Sequence, residues 1–305
     1  MTARASVIRG LLIVSLVVVA GPAVPQDPGH PISMWQIDGR SNHIYLLGSV
    51  HVLREHDHPI PTAIDIAYKD AEFLIMEVDI DDLDPIEMAG LVNELGVIAD
   101  GGSLQQYMGQ ELYTEAAEYA AQLDIPISML AESEPWLAAI TVEQMMLLRI
   151  GFNPQYGIEF HLSAKASEDK KEIFGFETAR EQLELLDGLS LPAQRSLLIQ
   201  TLRESLNIEE DLDLLIRAWR HGDIHFLEET LLVEMQKYPE LYKTLVVDRN
   251  LAWVDKIKKL TAEEDDYLVV VGALHLIGED GVPSLLSEIG IKADQLSEPE
   301  TQSGH

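Results

Sequence analysis

The chain has 305 residues, 47% of them hydrophobic, and carries 52 acidic against 21 basic side chains for a formal charge of -31. That charge repels nucleic acid and anionic membrane surfaces while it concentrates cations, which argues against a nucleic-acid partner. There is no cysteine, so disulfides, thiolate metal sites and lipoprotein processing are excluded.

Arg4 and Arg9 precede an apolar run over residues 10–20, and a small, proline-containing segment follows at 21–25. This order reads as a secretory signal peptide over residues 1–23. The run is short against the ~20 apolar residues of a membrane-spanning helix. The expectation is an exported protein, periplasmic or secreted, with no membrane association beyond the export signal.

Residues 34–38 and 43–47 read as two strands joined by a Gly/Ser/Asn turn. Pro61 and Thr62 open a helix to about Asp70, and residues 73–79 form a short apolar run typical of a buried strand, followed by an acidic loop. Strand, helix and strand make a βαβ unit. It is expected to set Glu77 and the loop of His51 on one edge of a parallel pair, where open α/β sheets bind ligands. From about 82 to 240 the pattern is mostly helical, with segments at 104–123, 126–150, 157–167 and 183–232, and one short strand at 171–178. Trp136, Met145 and Met146 in this stretch read as core packing. A helix at 251–260, a strand at 267–271 and a helix at 282–289 complete the unit. The fold class expected is mixed α/β: a central mixed sheet with βα units at both chain ends and a large helical insertion in the middle.

Two stretches spell one pattern. An apolar run ends in Gly48-Ser-Val-His51 near the N-terminus and in Gly272-Ala-Leu-His275 near the C-terminus. Each pattern is a strand delivering a histidine to its C-terminal end, and each is followed by a loop and a helix. Carboxylates arrive at comparable strand ends, Glu77 after Leu74-Ile-Met and Glu177 after Gly175-Phe.

These residues resemble the paired Gly-x-x-His motifs of the TraB/GumN family, to which the animal Tiki Wnt-clipping proteins are related. The resemblance covers residues 31–296 as a single domain, leaving residues 297–305 as a disordered tail. It extends to Gly157-Ile-Glu159, to Glu177-Thr178 with Gln182 after it, to Trp219 through Asp223 and to Asp248-Arg249-Asn250. Glu159 stands where the family usually has Asp. The resemblance implies an erythromycin-esterase-like α/β fold with both histidines in one cleft, and Tiki-like members are described as metal-dependent proteases.

Imidazole and carboxylate are the natural ligands of Zn, Mn or Co, and a catalytic site keeps one position open for water. His51 and His275 with Glu77 or Glu177 would make such a set, lowering the pKa of a bound water to ~7 and leaving the other carboxylate as general base. Arg249 suits a substrate carboxylate or a developing oxyanion. Gly48, Gly272, Glu159 and Asn250 are secondary candidates. The expectation is an exported divalent-metal-dependent hydrolase with a peptide or protein substrate. Two alternatives stand beside it: a metal-independent esterase with a histidine general base oriented by a glutamate, and a non-enzymatic protein binding haem, metal or an envelope partner. Blander roles are a loop cap for Glu77, a salt bridge for Arg249 and solvated histidines at 56, 58, 221 and 225. The sequence has no G-x-S-x-G elbow for a serine nucleophile.

Overall fold

The computed structural model describes residues 30–298. The expected signal peptide and residues 299–305 of the tail lie outside them. Strands β1 (Pro31–Asp38) and β2 (His43–Ser49) pair antiparallel, Met34 against Leu47. Helix α1 (Thr62–Asp70) carries the chain over to β3 (Phe73–Val78). Five helices follow: α2 (Pro85–Gly96), α3 (Leu104–Met108), α4 (Gln110–Gln122), α5 (Pro135–Arg149) and α6 (Ile158–Asp169). They lead to β4 (Ile173–Glu177). Then come α7 (Ala179–Asp187), α8 (Leu191–Glu204), α9 (Ile208–Arg220), α10 (Ile224–Leu227), α11 (Val233–Met235), α12 (Pro239–Tyr242) and α13 (Asp248–Leu260). Single π-helical segments, Glu228–Leu232 and Lys243–Val247, join α10 to α11 and α12 to α13. Strand β5 (Tyr267–Gly272), α14 (Val282–Glu288) and β6 (Ala293–Ser297) close the fold.

All six strands form one sheet in the order β4-β3-β5-β2-β1-β6. β4, β3, β5 and β2 run parallel, while at one edge β1 pairs antiparallel with β2 and β6 antiparallel with β1. The sheet is mixed and lies among helices, the expected fold class. Strand periodicity divides its side chains between two cores. Leu47, Leu74, Met76, Leu268 and Val270 pack with α1, α5, α6 and α8 on one face. Leu46, Ile75, Val269 and Val271 pack with α13 and α14 on the other. Strands covered on both faces read as continuous apolar runs, which is why residues 268–271 carry no polar side chain.

Four expectations differ from the fold. β2 and β3 are parallel but not neighbours, because β5 lies between them and pairs with both. The expected helix at 104–123 is two helices, interrupted where Gly109 adopts a φ of 75°. α2 was not expected after the acidic loop; Asp84 caps it by accepting hydrogen bonds from the amides of Ile86 and Glu87, and Pro85 fits its first turn. Ser297, placed in the tail by sequence, instead ends β6, whose Ala293 pairs with Ile37 of β1.

Candidate active site

The C-terminal ends of the four parallel strands build the site. Register sets Gly48 beside Val271 and Ser49 beside Gly272, so the two Gly-x-x-His turns leave the sheet side by side. On the other flank of β5, Met76 pairs with Val270 and delivers Glu77, while Val78 pairs with Glu177 of β4. Gly272 lies at the meeting point. A Cβ added there would sit 3.3 Å from Glu77 Oε1, 3.4 Å from His51 Nε2 and 3.7 Å from His275 Cδ2. Any larger residue would occupy the space that these groups face.

His51 is held from the first turn of α6. Its Nδ1 lies 2.7 Å from Glu159 Oε1, and Ser49 Oγ donates to the same oxygen at 2.5 Å. The Ile158 amide donates to the Val50 carbonyl at 3.2 Å, which clamps the helix onto the strand end. Gly157 makes that approach possible, since a Cβ on it would come within 2.1 Å of the His51 carbonyl oxygen. The His51 side chain is 39% exposed and turns Nε2 toward Gly272. The Glu159 carboxylate raises its pKa to about 9 against the opposing effect of burial, and Glu77 adds to the rise. His51 is therefore an imidazolium at neutral pH.

Arg249, on α13, ties the rest together. Its Nη2 donates to Glu77 Oε2 at 2.6 Å and to Glu177 Oε2 at 2.7 Å, and its Nε donates to Glu177 Oε1 at 3.0 Å. Gln182 Nε2 donates to both carboxylates at 3.1 Å. The other oxygen of Glu77, Oε1, accepts the Gly272 amide at 2.7 Å. Burial alone would raise the Glu77 pKa, but the charges of Arg249 and His51, with that amide, hold it well below the usual carboxylate range.

His275 is buried beneath this network. Arg249 Nη1 lies 3.1 Å from its Nε2. Guanidinium can only donate, so Nε2 accepts, and the proton of the neutral ring sits on Nδ1, which donates to Asn250 Oδ1 at 2.6 Å. Asn250 is itself fixed by donating to the Asp280 carbonyl at 2.8 Å. Trp253 packs against the His275 ring with centroids 4.5 Å apart and places its own ring 4.7 Å from the guanidinium carbon. Burial lowers the His275 pKa to about 3, and Arg249 pushes the same way.

His51, Glu77, His275 and Arg249 thus share one cleft, with Gly272 at its centre, Glu177 held against it by Arg249, and Glu159 and Asn250 behind the two rings. As placed, the four metal-ligand candidates do not close on one ion. Among the described residues the one group offering three donor atoms within 4.8 Å of each other is His43, Asp70 and Asp266, and it is not at this site. In the cleft, Arg249 occupies the Nε2 lone pair of His275 and oxygens of both glutamates. Of the remaining histidines, His58 Nε2 lies 2.9 Å from the Tyr156 carbonyl oxygen, whereas His56 and His225 are exposed. Sequence reasoning gave no role to Ser49 or Trp253, whose Nε1 donates to Glu177 Oε1 at 2.9 Å. The one available signal is spacing, since Trp253 follows Arg249 by one helical turn.

Over this polar floor lies a cavity of about 300 Å³. α7, α8 and α9 supply Leu186, Leu197 and Leu212 to its wall, and the two π-helical segments add Leu231 and Leu245. Such segments recur where a helix is adjusted at a functional site.

The model of the TraB/PrgY/gumN family matches residues 33–295. The protein YbaP of Escherichia coli is 26% identical over 247 residues, 81% of this chain and 88% of its own length. Its counterpart in Shigella flexneri aligns equally well, 26% over the same length. No solved structure matches.

Proposed function

Because the chain belongs to the TraB/PrgY/gumN family, we propose that its cleft hydrolyses a carbonyl compound, an amide or an ester, outside the cytoplasm, through His51 and Glu77. The observation that carries this reading is the facing of His51 Nε2 and Glu77 Oε1 across Gly272 at the foot of a cavity. His51, positioned by Glu159 and Ser49, donates from Nε2 to the substrate carbonyl and then to the leaving group. Glu77 Oε1 has one lone-pair direction left beside the Gly272 amide and takes the proton of the attacking water. The water oxygen bonds to the acyl carbon, the carbon–oxygen or carbon–nitrogen bond breaks, and the alcohol or amine leaves with the proton from His51. Glu77 is a weak base, so activation of the carbonyl by His51 supplies the larger share of the acceleration.

A second reading keeps the divalent ion. Charge favours it: three carboxylates, Glu77, Glu159 and Glu177, with side chains no more than 14% exposed, face one guanidinium and one imidazole. Binding would require His51 to lose its proton and Arg249 to release His275.

The deciding experiment measures metal content and hydrolysis of p-nitrophenyl esters and peptide amides by wild type and His51→Gln. The proposal expects His51→Gln to lose a factor of roughly 10²–10⁴ in rate, and wild type to keep its activity after chelation. Full activity in His51→Gln would refute the assignment. Loss of wild-type activity on chelation of a stoichiometric metal would establish the second reading.

A further inference from the structure

The wall of the cavity is of one chemical kind. Apart from the floor residues, its polar side chains are Gln182, Trp219 and Glu143. Gln182 spends its amide nitrogen on Glu77 and Glu177. Trp219 spends its Nε1 on the Gly48 carbonyl at 2.5 Å. Glu143, on α5, is partly buried and already engaged in an interaction of its own. A peptide in this space would bring an N–H and a C=O with each residue to walls of leucine and isoleucine, where unpaired backbone groups are costly. A hydrocarbon chain brings none.

We infer that the cavity is an acyl pocket, and that the site takes an ester or amide of a straight-chain fatty acid. The carbonyl sits at the floor beside His51 and the chain lies against Leu186, Leu197, Leu212, Ile216, Leu231 and Leu245. A volume of about 300 Å³ holds on the order of ten methylene-sized groups at the ~30 Å³ that a water molecule occupies in the liquid. Chain length then becomes the property that the site measures. The fate of the bond rests on the hydrolase reading above; the binding does not.

The test is calorimetric titration of the purified full chain with straight-chain N-methyl amides of four to ten carbons, beside N-acetyl-leucyl-leucine N-methyl amide. Kd is expected to fall about fourfold with each added methylene, and the dipeptide to bind more weakly than the longest amide. Leu186→Trp and Leu231→Trp, checked for folding by circular dichroism, are expected to shorten the chain that binds best. If a variant fails to fold, the wild-type series decides alone. Affinity independent of chain length, or a dipeptide that binds as tightly, overturns the acyl pocket. Chain-dependent binding without hydrolysis would sink the hydrolase reading and keep the pocket; hydrolysis without chain preference would do the reverse.

Discussion

Two copies of one four-residue pattern end on neighbouring strands, yet their histidines have opposite character. His51 faces the cleft with a carboxylate at its back, and its pKa rises to about 9. His275 is enclosed by Trp253, Asn250 and Arg249, and its pKa falls to about 3. The motif fixes where a ring is placed. What stands behind the ring fixes whether it is an acid or a neutral prop: an anionic Glu159 in one half, an amide from Asn250 in the other.

The largest expected effect comes from removing the cation that separates the halves. Arg249→Met leaves Glu77 and Glu177 buried without their shared partner, and breaking such a network costs roughly 3–5 kcal/mol. Urea denaturation measures it, and adding Glu177→Gln to the variant is expected to restore part of the loss. A cost under about 1 kcal/mol would mean that the pairing is worth no more than a surface ion pair.

Glu159→Gln exchanges the anion behind His51 for an amide, giving it the kind of support that His275 has. The His51 pKa is expected to fall from about 9 toward its ordinary 6.5, read by NMR titration of the ring protons. Under the acid role for His51, wild-type hydrolysis holds through neutral pH and falls as pH rises through about 9. In Glu159→Gln that fall moves to near 6.5. A profile that stays in place in the variant would separate the kinetic group from His51.

The same contrast sets the shape of stability against pH. A histidine raised in the folded state stabilises fully below its unfolded value of ~6.5 and loses that contribution as pH climbs through about 9. One lowered to about 3 works the other way: its stability is present above ~6.5 and drains away as pH falls toward 3, with a slope of at most about 1.4 kcal/mol per pH unit. Replacing His275 with Gln is expected to flatten the acid limb alone, and replacing His51 with Gln the alkaline limb alone.

Sequence made β1 to β5 legible because each is a short, largely apolar run bounded by turn residues, and it made the paired histidines legible because the pattern repeats; β6, with Asp294, Gln295 and Ser297, was not legible. Strand order was not legible. That β5 inserts between β2 and β3 depends on pairing across more than 190 residues, as between Phe73 and Tyr267, to which local pattern is blind. The site was half legible for a related reason. Glu77, Glu177 and Arg249 could be nominated as chemically apt, but their mutual engagement, with Arg249 172 residues from Glu77, follows from the sheet alone. Glu159 read as a departure from the family's Asp, and only the approach of α6 to Val50 identifies it as the partner of His51.

The smallest expected effect probes the aromatic side of the His275 half, which the His51 half lacks. Trp253→Phe keeps a ring against His275 and Arg249 but deletes the hydrogen bond from Nε1 to Glu177 Oε1. Because Arg249 Nε still donates to that oxygen at 3.0 Å, no acceptor is stranded and the cost is about 1 kcal/mol. Trp253→Ala would also open a cavity and expose the ring of His275, costing about 3–5 kcal/mol and raising the pKa of His275. If Phe and Ala cost the same, the hydrogen bond to Glu177 and not the packing would be what Trp253 contributes to the stability of the His275 half.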